Sequence, residues 1–237
     1  MGYNLRMGHL LLEGGAEFGG RMRDPDLRAL ELVGGFDVPL RILPTAAAPD
    51  NNHRRAGSNG IRWFRGLGAR DVVSLPLIDK ASADDEEIAK SLRSAKLIYL
   101  LGGFTHYLGQ TLKDSLAWQA AVDAYRHGAV IAGSSAGAMV MCEFYYHHNE
   151  GKVIEGLNLV PHALVIPHHN SFGKRWAPKL LKEIPNVTLI GIDEETGMID
   201  DDEKHSWTVY GRGEVTLYRD GNVETYNGGE TFSIMSF

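Results

Sequence analysis

The sequence predicts an α/β fold of three layers, in which a mostly parallel sheet carries helices on both faces and antiparallel β hairpins follow at the C-terminal end. Up to about residue 190, short and solidly apolar runs alternate with longer amphipathic segments. Fully apolar runs are typical of strands that are covered on both faces, and alternation with helices implies parallel strands joined by right-handed crossovers. Residues 205–229 are rich in β-forming residues and carry turn signals at 211–213 and 220–221, which predict the hairpins.

The first half of the chain provides three strands and two helices. The first strand lies in 8–15 and stops at two glycines. A helix follows up to Val33, with Asp24 as the expected N-cap and Pro25 at the first helical position. The next strand, helix and strand are expected in the segments 38–47, 59–68 and 72–78.

The second half repeats the alternation before the hairpins. Residues 82–95 predict a helix whose acidic residues lie in the first turn, where the helix dipole stabilises them. An apolar strand over 96–103 again stops at two glycines. A long helix is expected over 109–128, and a further strand over 129–133 leads into the sequence Gly-Ser-Ser-Ala-Gly.

Composition favours one ordinary globular domain over residues 1–237. The chain is 43% apolar with a formal net charge of −6. The sequence has no basic stripe, so a nucleic-acid partner is not expected. Cys142 is the single cysteine, so an intramolecular disulfide is excluded. The three N-terminal leucines are too few for a signal peptide or a membrane span, and we therefore expect a cytoplasmic protein without a membrane partner.

The segment 133–137 has the pattern G-x-S-x-G with Ser135 at its centre. A strand precedes it and the residues after it can begin a helix, which is the context of a nucleophile elbow. Such a turn is sharp, so it needs small neighbours and exposes the central side chain at the carboxyl end of the sheet. A glycine turn whose serines only cap a helix is the alternative interpretation.

A serine hydroxyl needs a base within hydrogen-bond reach to act as a nucleophile at neutral pH. His168 and His169 end another apolar run, and strand ends are where an active site on a parallel sheet collects its groups. The base needs an acid that fixes its tautomer. The residues offer several acids for that role: Glu143, Glu150, Asp193, Glu194 and Glu195.

Six segments in chain order resemble the serine peptidases typified by dipeptidase E and cyanophycinase. This family has a class I glutamine-amidotransferase-like fold, and the similarity extends over roughly residues 8–200. The segments are LLEGGAE, LPTAAA, IYLLGGFTHYL, GSSAGAM, GLNLVPHALVIPHH and LIGIDEETGM.

The resemblance implies roles for five residues of this chain. Ser135 would be the nucleophile and His168 the general base, while the main-chain N–H groups of Gly103 and Ala136 would form the oxyanion hole. For the third member of the triad, dipeptidase E has an acid fifteen positions after the serine, and here Glu150 occupies that position. Glu143 is the alternative, about two expected helical turns beyond Ser135.

The resemblance also implies a substrate pocket. Lys174, Arg175 and His169 follow the expected base and are the predicted substrate-binding residues. A preference for an amino-terminal aspartate would need a cation in the pocket, for which Arg54 and Arg55 are further candidates.

Together these observations predict a serine hydrolase that cleaves short peptides in the manner of an exopeptidase or dipeptidase, through a Ser-His-Glu triad and an acyl-enzyme. No metal or organic cofactor is expected, and the family resemblance suggests a homodimer. Three alternatives stay open: cyanophycinase-like hydrolysis of an Asp-Arg polymer, metal-assisted hydrolysis by the histidines near 147 and 168, and a non-catalytic protein of the same fold that binds a small ligand or partner.

Overall fold

The computed structural model describes residues 7–201 and 206–234. Its strands are β1 (Leu10–Glu13), β2 (Leu40–Leu43), β3 (Val72–Ser74), β4 (Leu97–Leu100), β5 (Val130–Ser134), β6 (Cys142–His147), β7 (Lys152–Glu155), β8 (Val160–Ile166), β9 (Thr188–Ile192), β10 (Thr196–Ile199), β11 (Trp207–Gly211), β12 (Glu214–Arg219), β13 (Asn222–Asn227) and β14 (Thr231–Phe232). Its α-helices are α1 (Arg23–Leu32), α2 (His53–Leu67), α3 (Lys80–Ala83), α4 (Glu86–Arg93), α5 (Thr105–Leu112), α6 (Leu116–Arg126), α7 (Ala136–Met141) and α8 (Ala177–Glu183).

In the described part of the chain the strands form two sheets. The first has the order β14-β11-β10-β1-β5-β4-β2-β3, and its five strands from β1 to β3 are parallel. The second has the order β13-β12-β9-β8-β6-β7, with β6, β8 and β9 parallel at its centre. The predicted α/β class is therefore confirmed, whereas the second sheet was not predicted.

Alternating side chains of the first sheet supply two cores. Leu11, Leu40 and Tyr99 pack with α1 and α2 on one face. Leu12, Ile98 and other residues of the opposite pleat pack with α4, α6 and the second sheet. Because successive side chains of a strand point to opposite faces, a fully apolar strand fits only a sheet that is covered on both sides.

Several expected elements differ in detail. α1 begins at Arg23 with Met22 at its N-cap, so the expected cap Asp24 lies in the first turn, and the helix expected over 82–95 is divided into α3 and α4. The single helix expected over 109–128 is divided into α5 and α6, because Asp114 has a positive φ of 56° and Ser115 caps α6 by accepting from Trp118 N. Residues 211–213 do not close a hairpin. β11 belongs to the first sheet and β12 to the second, so this turn carries the chain between sheets. The hairpin expected at Asp220-Gly221 is confirmed, since β12 and β13 pair antiparallel across it.

The topology brings the segments after several strands to one edge of the first sheet. β1, β5, β4 and β2 are adjacent and end in register, so the residues that follow them lie together. In the second sheet β8 and β9 end side by side. The main-chain N–H of His168, just after β8, donates to Gly14 O after β1 at 2.8 Å and joins the two edges.

Candidate active site

Ser135 lies in a strained turn between β5 and α7. Its φ is +48° and its ψ is −105°, values that non-glycine residues rarely adopt. Crowding requires glycine two positions before Ser135 and two positions after it. A Cβ on Gly133 would lie 2.5 Å from Gly137 C, and one on Gly137 would lie 2.3 Å from Leu100 O. Ser135 therefore lies at the apex of a sharp and crowded strand-to-helix turn, and its N–H donates to Glu13 O at 2.9 Å.

His168 lies against the hydroxyl of Ser135. The distance from Ser135 Oγ to His168 Nε2 is 3.0 Å. The ring stacks on Phe172 with centroids 4.8 Å apart, and a Cβ on Gly15 would lie 2.3 Å from its Cε1. Only glycine at position 15 leaves room for the imidazole at this place.

Glu194 is the acid that reaches His168. The distance from its Oε1 to His168 Nδ1 is 2.8 Å, and its own N–H donates to Asn170 Oδ1 at 3.1 Å. A carboxylate only accepts hydrogen bonds, so Nδ1 is the donor in this pair and Nε2 is left to accept from Ser135. Ser135, His168 and Glu194 thus form one continuous hydrogen-bonded chain.

The structure corrects the choice of Glu150 as this acid. Glu150 lies in the turn between β6 and β7, where its half-exposed carboxylate accepts from Lys152 Nζ at 3.1 Å. The alternative, Glu143, lies on β6 because α7 ends at Met141, and it accepts from His162 N at 2.7 Å. Both acids are engaged away from His168.

Gly103 and Ala136 are chain neighbours of residues at the Ser135 turn: Gly103 follows Gly102, whose Cβ position would lie 3.4 Å from Ser135 Cβ, and Ala136 follows Ser135 itself. Gly103 has a φ of +136°, and a Cβ there would lie 2.4 Å from Ala46 O. Ala136 is the first residue of α7, whose N–H has no partner within the helix. Across residues 7–201 and 206–234, neither N–H donates to a protein acceptor, so both are free for a ligand oxygen.

The predicted substrate-binding residues divide into one buried and two surface residues. His169 is only 4% exposed, lies 2.9 Å from the Tyr218 hydroxyl through Nε2, and has its pKa lowered by burial. Its ring is buried and bonded within the protein, and the expectation that it contacts substrate stays a prediction. Lys174 is exposed, and Arg175 lies over the Phe172 ring at 5.8 Å and lines a cavity of about 650 Å³ with Trp176.

A larger cavity of about 900 Å³ opens on the other side of the site. Gly102, Gly103 and Glu17 form its inner end, and α2 forms the opposite wall with Arg55 and other polar residues. Arg54, the neighbouring candidate, does not line it.

Two other chemistries find little support in the described residues. No group of three or more His, Cys, Asp or Glu side chains there could hold a metal ion. His147 stacks on His106 and His148 on Trp176, so these rings do not converge with His168. Burial raises the pKa of Cys142 to about 12, which leaves its thiolate scarce at neutral pH.

No described helix combines the length and apolarity needed to cross a bilayer.

A buried pair of carboxyl groups lies beneath the site. Glu13 accepts from the Tyr99 hydroxyl, and Asp26 Oδ2 accepts from Trp63 Nε1 at 2.7 Å. Glu13 Oε1 and Asp26 Oδ1 accept from no donor among the described residues, and the two side chains are close enough to bond to each other when one is protonated. Burial raises the pKa of Asp26 to about 7, and burial together with the charge of Asp26 raises the pKa of Glu13 well above its ordinary value. We infer that the pair holds a proton at neutral pH.

This pair predicts a pH dependence of stability. Because the folded state binds more protons than the unfolded chain, the free energy of unfolding should fall as pH rises from about 4 to about 7. In Glu13→Gln the decrease should be smaller, since one ionisable group is lost while an amide can still donate to Asp26. Denaturant unfolding at several pH values measures this, with exposed Glu31→Gln as the matched control. An unchanged slope in Glu13→Gln would contradict the assignment.

The chain is similar in sequence and fold to known peptidases. The model of peptidase family S51 matches residues 14–207. Cyanophycinases of Synechococcus elongatus and Geminocystis herdmanii are 28% and 26% identical over 232 residues, which cover 93% and 92% of this chain and 70% and 82% of theirs. A crystal structure of a peptidase from an acI-B1 actinobacterium superposes with a TM-score of 0.87 at 29% identity, over 96% of this chain and 97% of that one.

A putative peptidase E protein of Listeria monocytogenes EGD-e shares the fold, with a TM-score of 0.58 at 21% identity over 93% of this chain and 98% of its own. The match of the family model extends from the glycines after β1 to the first residue of β11 and includes the elbow, His168 and Glu194. On that match, the chain belongs to peptidase family S51.

Proposed function

We propose that this chain is a serine-type peptidase that cleaves short peptides, with Ser135 as nucleophile, His168 as general base and Glu194 as the acid that orients the base. The observation that carries the proposal is the unbroken hydrogen-bonded chain from Glu194 through His168 to Ser135 Oγ. A nucleophile, its base and a third group that orients the base are the signature of covalent acyl transfer.

The first half of the reaction forms an acyl-enzyme. Ser135 Oγ attacks the peptide carbonyl carbon while His168 Nε2 accepts the hydroxyl proton. The tetrahedral oxygen receives hydrogen bonds from the N–H groups of Gly103 and Ala136, each worth about 3–4 kcal/mol of barrier. His168 then donates the same proton to the departing amine, the C–N bond breaks, and the acyl group stays on Ser135.

The second half returns the free enzyme. Water enters where the amine left, and His168 Nε2 accepts a proton from it as its oxygen attacks the acyl carbon. The ester bond to Ser135 breaks, and the proton on His168 passes to the serine oxygen. Glu194 stabilises the imidazolium that forms in both halves, because its carboxylate accepts from Nδ1 throughout.

Active-site labelling tests the proposal. A fluorophosphonate probe should label the native protein with one equivalent, peptide mapping should find the label on Ser135, and hydrolysis of a panel of short peptides should be lost in proportion to labelling. A protein that cleaves peptides equally well after complete labelling would contradict the assignment of Ser135. A protein that neither takes the label nor cleaves any peptide would favour the non-catalytic alternative.

Hydrolysis of an Asp-Arg polymer is the second candidate, because relatives at 28% and 26% identity are named cyanophycinases. The peptide panel distinguishes the two candidate functions when it also contains the Asp-Arg polymer, because the preferred substrate is then measured directly. The homodimer stays a prediction, which sedimentation of the purified protein tests.

A further inference from the structure

Glu17 lies beside the proposed reaction centre, although the mechanism above does not use it. Its Oε2 accepts from Ser134 Oγ at 2.9 Å, one residue before the nucleophile. Its Oε1 lies 3.0 Å from the point where a Cβ on Gly102 would be, and Ser135 Cβ lies 3.4 Å from the same point. The carboxylate therefore borders the space that a scissile carbonyl would enter.

The main chain holds Glu17 in a fixed place. Ala16 and Phe18, on either side of it, have positive φ values of 60° and 65°. Left-handed backbone at non-glycine residues is unfavourable and persists where the surrounding structure imposes it, often at functional sites. Phe18 is held by its contacts with the rings of Phe64 and Tyr99, at 6.2 and 5.5 Å between centroids.

The charge of Glu17 has no cationic partner in the part of the chain that the structure describes. The half-buried carboxylate opens on the cavity of about 900 Å³. Arg55 and Arg62 line the same cavity on α2, but neither forms an ion pair with Glu17 among the described residues. The buried acids Glu13 and Asp26 lie close enough for the charge of Glu17 to help raise their pKa values.

We propose that Glu17 binds the free α-ammonium group of the residue whose carbonyl Ser135 attacks, and so selects substrates that are cleaved after an unblocked amino-terminal residue. This inference rests on the proposed function. An α-ammonium lies roughly 2.5 Å from its own carbonyl carbon. A substrate whose carbonyl carbon lies at Ser135 Oγ would therefore carry its α-ammonium close to the nucleophile, and Glu17 is the carboxylate that borders Ser134 and Gly102 there.

A lysine or arginine side chain fits this position less well. Its charge lies several bonds further from the carbonyl carbon, so it would reach past Glu17 into the wider part of the cavity. The position of the carboxylate next to the nucleophile is what favours an ammonium on the α-carbon.

Three substrates that differ only at the amino terminus test the inference. One peptide carries the free amine, a second carries an acetyl group, and a third has the amine replaced by hydrogen. The wild type should prefer the free amine over both others by about 10- to 100-fold in kcat/KM, which is the range for a charge-assisted hydrogen bond. In Glu17→Gln this preference should shrink towards unity, mainly through a higher KM for the free peptide, and Glu17→Asp should restore part of it.

The exposed acid Glu87 provides the matched control, since Glu87→Gln removes the same charge far from the site and should keep the wild-type preference. Equal cleavage of the free and desamino peptides by the wild type would overturn the inference without any variant, because a steric wall would reject only the acetyl group. An equal loss of kcat/KM on all three substrates in Glu17→Gln would also overturn it. That pattern would mean that Glu17 only holds Ser134 in place through their hydrogen bond. If no substrate is cleaved and Ser135 takes no label, the proposed function fails and this inference with it.

Discussion

Ser135→Ala should lower kcat for peptide hydrolysis by about 10⁶-fold, the scale on which removal of a triad serine acts. The variant loses the atom that forms the acyl-enzyme, while Gly103 and Ala136 can still polarise a bound carbonyl. A residual rate about 10³–10⁴ times that of the uncatalysed reaction is therefore expected. KM should change little, because the hydroxyl contributes to the transition state far more than to substrate binding.

The neighbouring serine provides the contrast for this experiment. Ser134 is fully buried and its hydroxyl donates to Glu17 at 2.9 Å. Ser134→Ala loses that hydrogen bond and should cost no more than about 10-fold in kcat/KM. Steady-state kinetics on both variants, with melting temperatures to confirm folding, separates the two serines. Loss of activity in Ser134→Ala with an active Ser135→Ala would reverse the assignment.

Glu194→Gln should lower kcat by about 10⁴-fold, with a much smaller effect on KM. An amide at this position can donate to Nδ1 and so favour the tautomer in which Nε2 carries the proton and cannot accept from Ser135. It also removes the negative charge that stabilises the imidazolium. Both effects act on proton transfer in the chemical step and not on substrate binding. The substitution should therefore lower kcat and leave KM nearly unchanged.

Glu150→Gln is the matched control, because it makes the same substitution at the acid that chain spacing favours. Its carboxylate is exposed and bonded to Lys152, and exposed ion pairs of this kind contribute little. We expect kcat within about 2-fold of the wild type on that basis. Comparable losses in Glu150→Gln and Glu194→Gln would contradict the geometry described above.

The effect of the amino-terminal group on specificity and the pH dependence of stability share a structural origin. β1 carries Glu13, and the turn after it carries Glu17 and the glycines that contact His168. This short segment therefore supplies Glu13, one member of the buried proton-holding pair, together with the proposed ammonium site and the residues that pack against His168. The two properties are still separable, because Glu13→Gln should alter the pH slope of stability while Glu17→Gln should alter substrate preference.

The sequence alone determined the features that depend on neighbouring residues. Ser135 between Gly133 and Gly137, directly after an apolar strand, predicts the elbow because the crowding that requires glycine is local. The end of an apolar run offered His168 and His169 as the expected base, and the family resemblance favoured His168. The alternation of strands and helices predicted the α/β class. The strands are apolar throughout, which indicates that both of their faces are covered.

Only the tertiary structure decided which distant groups meet. Spacing along the chain favoured Glu150, but β6 and β7 form a hairpin that takes it to the surface, while β9 ends beside β8 and brings Glu194 to His168. Glu17 and Ser134 are 117 positions apart and meet because β1 and β5 are adjacent and end in register. Such contacts depend on strand order and on which sheet a strand joins, and these are set by packing of the whole chain rather than by any local pattern of residues.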